Sequence, residues 1–229
     1  PYLNAGVALS VGVGATTASG TELIADSMRL KNNSIVEDIS YNSKVGNGAV
    51  TGTETTPLVL PVFSTLPTFK TAIVGSTTIK TNSLATTSLP AGNYDKLIVR
   101  ATSTIVLTGG TYHFSDVTIR RDSKVIVTAP TEIRIADKLN TNRSVTVVPT
   151  GATIAADIIF YVEGINGITG GLNEDLPAVD IGNNNTFSAN VYAPNGRIWA
   201  KQGSFLTGAF IARDLEIGQN VLVTEMSGF

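Results

Sequence analysis

Apolar residues recur every 20 positions through the middle of the chain. Ile79, Val99, Ile119 and Leu139 form one column, Ile105, Val125 and Val145 a second, and Leu107, Val127 and Val147 a third. In the same register Leu97 falls on Val117 and Tyr94 on Phe114. Thr, Lys, Arg and Asp stand between the columns, so "DVTIRR", "SKVIVT" and "TEIRI" alternate with the period of two of a half-buried strand. A strand pattern that itself repeats every 20 residues fits one coil of a β-solenoid. Each coil pairs with those above and below, and the apolar columns fill the interior. A propeller blade needs about 40 residues, and the Leu/Asn consensus of a leucine-rich repeat is absent.

The C-terminal part writes one phrase twice. "FSANVYAPNGRIWA" (187–200) aligns with "FLTGAFIARDLEIG" (205–218) at a shift of 19, which places Ser188 on Thr207, Val191 on Phe210, Ala193 on Ala212, Asn195 on Asp214 and Ile198 on Ile217. Two successive coils account for this. Pro and Gly are confined to segments between the apolar runs, as in "LPAGNY", "TGGTY", "TAPTE", "VPTGAT" and "YAPNGR". They belong at corners, because Pro inside a central strand deletes a ladder hydrogen bond.

The fold expected is all-β: a single right-handed parallel β-helix over 1–229. It divides into irregular N-terminal coils or a cap (1–70), regular coils (71–163), a long loop (164–186) and C-terminal coils (187–229). "TELIADSMRLK" (21–31) has apolar residues at helical spacing too, but reads better as strand or cap. "TPLVLPVFSTLPTF" (56–69) carries three prolines and suits an extended segment lying along the solenoid.

Composition narrows the function. Only 15% of residues are charged, the net charge is −2, and no basic footprint for nucleic acid exists. No run of about 20 apolar residues suggests a membrane span. The start at Pro1 has no signal-peptide pattern, so the chain reads as a mature or excised segment. Cysteine is absent, which removes disulfides and thiolate chemistry.

The phrases resemble, in their order, a bacterial domain family of unknown function found in cell-surface proteins and beside type IV pilus assembly genes. The resemblance is carried by the opening "PY" with a glycine-rich strand, "LVLPVFSTLP", "LPAGNY…LTGGTYHF", and "NVYAPNGRI…GAFIARDLEI" with a short acidic tail. It is strongest from Leu89 to Val223. A weaker similarity links the chain to bactofilins, the self-polymerising β-helices. These resemblances imply a β-helix at the cell surface or outside it, and they bring no catalytic residues or cofactor.

No constellation of side chains points to catalysis. His113 is the sole histidine, and its neighbours Ser115 and Asp116 lie on a strand whose successive residues face opposite ways. It is expected exposed or at a corner. At a 20-residue shift Asp95 falls on Ser115, Asp116 on Ala136, Asp122 on Asn142 and Glu132 on Ala152, so acids form no column of the kind a glycosidase needs. Glu174, Asp175 and Asp180 lack the Asp-x-Asp spacing of a Ca²⁺ loop and read as a solvated acidic loop. "SVGVGAT" has glycines without the lysine or helix of a phosphate loop.

Two surfaces remain. Trp199, Arg197 and Lys201 share one outward face, with Tyr192 also expected outward, as a candidate contact for a glycan or a surface protein. Threonine richness raises ice binding, but Lys138 follows Thr118, and Lys124 and Ser144 follow Thr104, so charge interrupts the rows. The expectation is a non-enzymatic extracellular structural or adhesive module of a bacterial envelope or pilus system. Its alternatives are a homo-oligomer or filament stacking through the solenoid ends, with the C-terminal coil as a docking end, and a carbohydrate-binding or polysaccharide-active β-helix.

Overall fold

A computed structural model describes residues 8–58, 66–165 and 177–229. Its strands pair in parallel and stack into two sheets, one of fifteen strands that turns a corner and one of ten. Three walls result, closing a single apolar interior that runs the length of the stack. The solenoid expected from the 20-residue ladder is therefore present.

The ladder holds where coils have equal length and slips where corners differ. Leu97 pairs with Val117, Ile105 with Val125 and Leu107 with Val127, as the sequence implies. Val117, however, pairs with Leu139, and Val125 with Val147, a step of 22. Corners absorb the surplus, since extra residues within a strand would turn every following side chain to the wrong face. Ile119 therefore meets Thr141, not Leu139, and Asp116 lies beside Lys138, not Ala136. The repeated phrase slips likewise. Ser188 meets Thr207, Val191 meets Phe210 and Ala193 meets Ala212, but beyond a bulge between Ala193 and Arg197 it is Arg197 that meets Asp214 and Ile198 that meets Leu215. Pro194, Asn195 and Gly196 form that bulge, and Pro has no N–H to offer the ladder.

Between two of the walls each coil turns through one residue in the left-handed region. Asn33, Leu84, Thr102, Asp122, Ser144, Asn184 and Asn220 all have φ between 54° and 63°, and Gly14 and Gly203 occupy the same place in their coils. Asn and Asp tolerate this conformation, whereas a β-branched Thr does so under strain. The next residue points inward and is often Ser. Ser34 and Ser103 each donate to the carbonyl three residues back, Lys31 at 2.7 Å and Arg100 at 2.6 Å, and Ser123 does the same to Arg120. Buried hydroxyls are thereby satisfied at the corner.

The order of coils in space departs from their order in the chain. The N-terminal part is regular, with strands Glu22–Leu30 and Asp38–Gly46 paired residue for residue; the helical alternative for 21–31 is a nine-residue strand. Ala8–Val11 pairs with Glu22–Leu30 on one side and with the C-terminal strand Phe210–Ile217 on the other. The C-terminal coil is therefore covered by the first coil of the same chain and is not a free docking end. An edge strand left open would invite pairing with other chains, and here both edges are used. The open ends of the stack lie instead at Ala49–Val50 and Glu54–Thr55, and at Ile79–Lys80 and Thr86–Leu89.

That arrangement requires the chain to travel from one end of the stack to the other, and residues 66–78 make the passage as an extended strap over one wall. Phe69 packs edge-on against Tyr161 and Tyr192, with ring centroids 5.9 and 5.7 Å away. Lys70 pairs with Glu132, the Ala72 N–H donates to Glu163 at 2.5 Å, and the Gly75 N–H to the Tyr94 carbonyl at 3.0 Å. The extended reading of the proline-rich segment agrees with this for its described residues. Strands resume at Val179–Ile181 and Thr186–Ser188, so the interruption expected over 164–186 ends earlier. Glu174 and Asp175 lie outside the described residues.

Candidate functional site

The three walls differ in chemistry. The first carries charge. Its outward column runs Lys80, Ile98, Thr118, Asn140, Asp180, Trp199, Glu216, Ser10, Arg29 and Val45. Trp199, Arg197 and Lys201 come together here, as the sequence suggests. The Lys201 ammonium lies 4.5 Å from the Trp199 ring centroid and 2.7 Å from Asp180, and the Arg197 guanidinium lies 5.5 Å from the same ring and 3.7 Å from Glu216. Arg197 is only 2% exposed, because the bulge before it seats it in the corner beside Trp199 and Glu216. The ring's faces are thus already in contact with the chain's own cations.

Tyr192 is not part of that group. It stands on the second, strapped wall, in a column of Asn93, His113, Arg134, Tyr161, Tyr192 and Ile211. It does face away from the interior, yet it is 5% exposed, since Phe69 of the strap and Phe229 cover it. Burial raises its pKa. His113 is covered too, at 7% exposed, and its Nδ1 accepts from the Ile73 N–H at 2.9 Å. The expectation of an exposed histidine fails for the same reason: the strap could not be placed from sequence.

The third wall is the ten-stranded sheet, and its outward positions are nearly free of charge. One column reads Thr86, Thr104, Lys124, Thr146, Thr186, Phe205, Leu222, Thr16, Ile35 and Ala49. Beside it run Ser88, Val106, Ile126 and Val148, then Ser188, Thr207 and Thr224. Of these seventeen side chains Lys124 alone is charged. The interruption expected at Ser144 does not occur, because the coil of 22 residues brings Thr146 into the column and sends Ser144 to the corner. Thr118 and Lys138 belong to the charged wall. The signal in the sequence was the Thr-x-Val alternation of "STIVLT" and "SVTVVPT", obscured by the two-residue slip and by Lys124 in the "SKVIVT" between them.

Hydroxyls and methyls of this wall repeat at about 4.8 Å from strand to strand and about 6.6 Å along each strand. These seventeen positions hold no acid, histidine or thiol beside the hydroxyls. Among the described residues no group of three or more His, Cys, Asp or Glu is placed to hold a metal ion, and no helix is long and apolar enough to cross a membrane.

The chain's relation to known proteins is confined to its fold. No family model matches it and no curated protein matches it. One solved structure is similar: the DUF3494 domain of ice-binding protein 1 from Shewanella frigidimarina, at 17% identity and a TM-score of 0.34, over 96% of this chain and 93% of that one.

Proposed function

We propose that the chain is a non-enzymatic extracellular binding module whose working surface is the nearly uncharged ten-stranded wall, and that its ligand is the surface of ice. One observation carries this: thirteen of the wall's seventeen outward side chains are Thr, Ser, Val or Ile, the others being Phe205, Leu222, Ala49 and a single charge, Lys124. A hydroxyl beside a methyl hydrogen-bonds water while constraining its orientation, and a regular array of such pairs orders a water layer across the whole wall. The strand-to-strand repeat of the lattice lies near an oxygen spacing of hexagonal ice. An ammonium or carboxylate would hold its own tight hydration shell and break that layer. Charge is abundant on the neighbouring wall and nearly absent on this one, which supports assigning the contact here.

The test is adsorption to a growing ice crystal, read as faceting, as a gap between melting and freezing, and as enrichment of the chain in the frozen fraction. The native chain is expected to adsorb, and Thr207→Lys, which sets a second ammonium in the middle of the wall, is expected to abolish adsorption without unfolding. A folded native chain left wholly in the liquid would overturn the proposal, and a Thr207→Lys variant with native activity would move the contact to another wall.

A further inference from the structure

We propose that the strap is a proton-sensitive latch, released from the solenoid when His113 takes up a proton, so that the Tyr161–Tyr192–Ile211 row beneath it opens to solvent. The observations are independent of what the ten-stranded wall binds. His113 is the sole histidine of the chain, and its imidazole is buried between the strand Gly110–Phe114 that carries it and the strap that crosses it. Its Nδ1 accepts the Ile73 N–H at 2.9 Å, which fixes the neutral tautomer with its proton on Nε2. This bond sits between the Lys70 and Ala72 contacts on one side and the Gly75 contact on the other.

A proton on Nδ1 replaces the acceptor by a donor pointed at another donor. It also places a charge among the groups that face the ring. The adjacent strand Thr131–Ile135 presents Glu132 and Arg134, the strap presents Lys70, and the strand Gly92–Asn93 on the other side presents the uncharged Asn93. Glu132 is shared by Lys70 and Arg134, so two cations already stand against one anion. Burial first, and Arg134 second, hold the His113 pKa below its ordinary value. For a base so depressed, the strap contact is fully present above the unfolded-state value of about 6.5 and weakens as pH falls through it toward the lower folded value.

Under the strap lie Tyr161, Tyr192 and Ile211, packed with Phe69 and Ile159 as a cluster separate from the main interior. A cluster outside the solenoid can open without disturbing the coils, which is the property of a locally unfolding segment.

The experiment is amide hydrogen exchange on the native chain at about pH 7.5 and about pH 5.5, either side of the ordinary histidine value and above the carboxylate range. The protection factor of the Ile73 amide is expected to fall severalfold, up to about tenfold, at the lower pH, with the strap amides, while Val125 and Val147 inside the stack stay protected. His113→Asn, whose side-chain oxygen can accept the same N–H but takes no charge, is expected to remove the pH dependence. Should that variant fold poorly, the nitrogen shifts of His113 in the native chain serve instead, and they are expected to report the Nε2–H tautomer and a depressed pKa. Unchanged Ile73 protection between the two pH values, an equal fall in His113→Asn, or a His113 that titrates at its ordinary value would overturn the latch.

Discussion

Truncating Phe187 tests the assignment of inside and outside on the ten-stranded wall. Phe187 is 0% exposed and stands between outward Thr186 and Ser188. Its ring lies 5.5 Å from Phe160 and 6.3 Å from Phe210, which come from the strapped wall. Phe→Ala in a packed interior costs about 3–5 kcal/mol, the spread reflecting how far the surroundings collapse. Collapse is restricted here, because each coil is held in register by neighbours on both sides, and both aromatic contacts are lost. Phe187→Ala should therefore lose about 4 kcal/mol, a large share of the 5–15 kcal/mol by which domains are ordinarily stable. Phe187→Leu keeps much of the volume and should lose about half as much. Urea unfolding can be followed through Trp199, the sole tryptophan. At an m-value of about 3 kcal/mol/M the alanine variant's midpoint falls by roughly 1.3 M. A loss under about 1 kcal/mol would mean that Phe187 is not a filling residue, and the division into interior and contact surface would fall with it.

Thr102 is β-branched at φ 62°, so Thr102→Gly should relieve about 1 kcal/mol of backbone strain and raise the thermal midpoint by a few degrees; a lower midpoint would refute the strain. Gly208 has φ 142°, and a Cβ there would lie 2.2 Å from the Ala189 carbonyl oxygen, so Gly208→Ala should destabilise by about 2 kcal/mol or more in the same melt, and a neutral change would contradict the close approach. Lys124→Thr joins the uncharged strand rows on its two sides into one of ten, and should strengthen ice adsorption with stability altered by less than about 0.5 kcal/mol; weaker adsorption would place Lys124 within the contact instead of interrupting it.

The columns Leu97–Val117 and Ile105–Val125 were legible because strand periodicity and coil length both act locally, on neighbouring residues. Register was lost one residue at a time at Ala129-Pro130 and at Ala136–Lys138, and again at Pro194–Gly196, where extra residues sit in corners that carry no alternation to count. The strap concealed two further facts, since nothing in "GTYHFSD" or "NVYAPN" tells which outward side chains another segment will cover. Neither does Ala8–Val11 announce its partner: a strand edge states that it must pair, but not with which of several similar edges. The ten-stranded wall became visible only when Thr146, and not Ser144, was set beside Lys124.

The joining of the first coil to the last has a consequence for how the molecule comes into being. Thr21 and Glu225, bonded to each other across 204 positions, belong to coils made far apart in time. The coils nearest the N-terminus emerge first yet wait for the final strand before one of their edges is covered, while those between them can stack on one another as they appear. Closing so large a loop delays the last step without preventing it, and the exposed edge is open to wrong partners in the interval. Deletion of the strand Phe210–Ile217 should therefore harm the coils nearest Ala8–Val11 more than the middle ones, and a ribosome-bound chain should acquire its full resistance to proteolysis only once that strand has emerged.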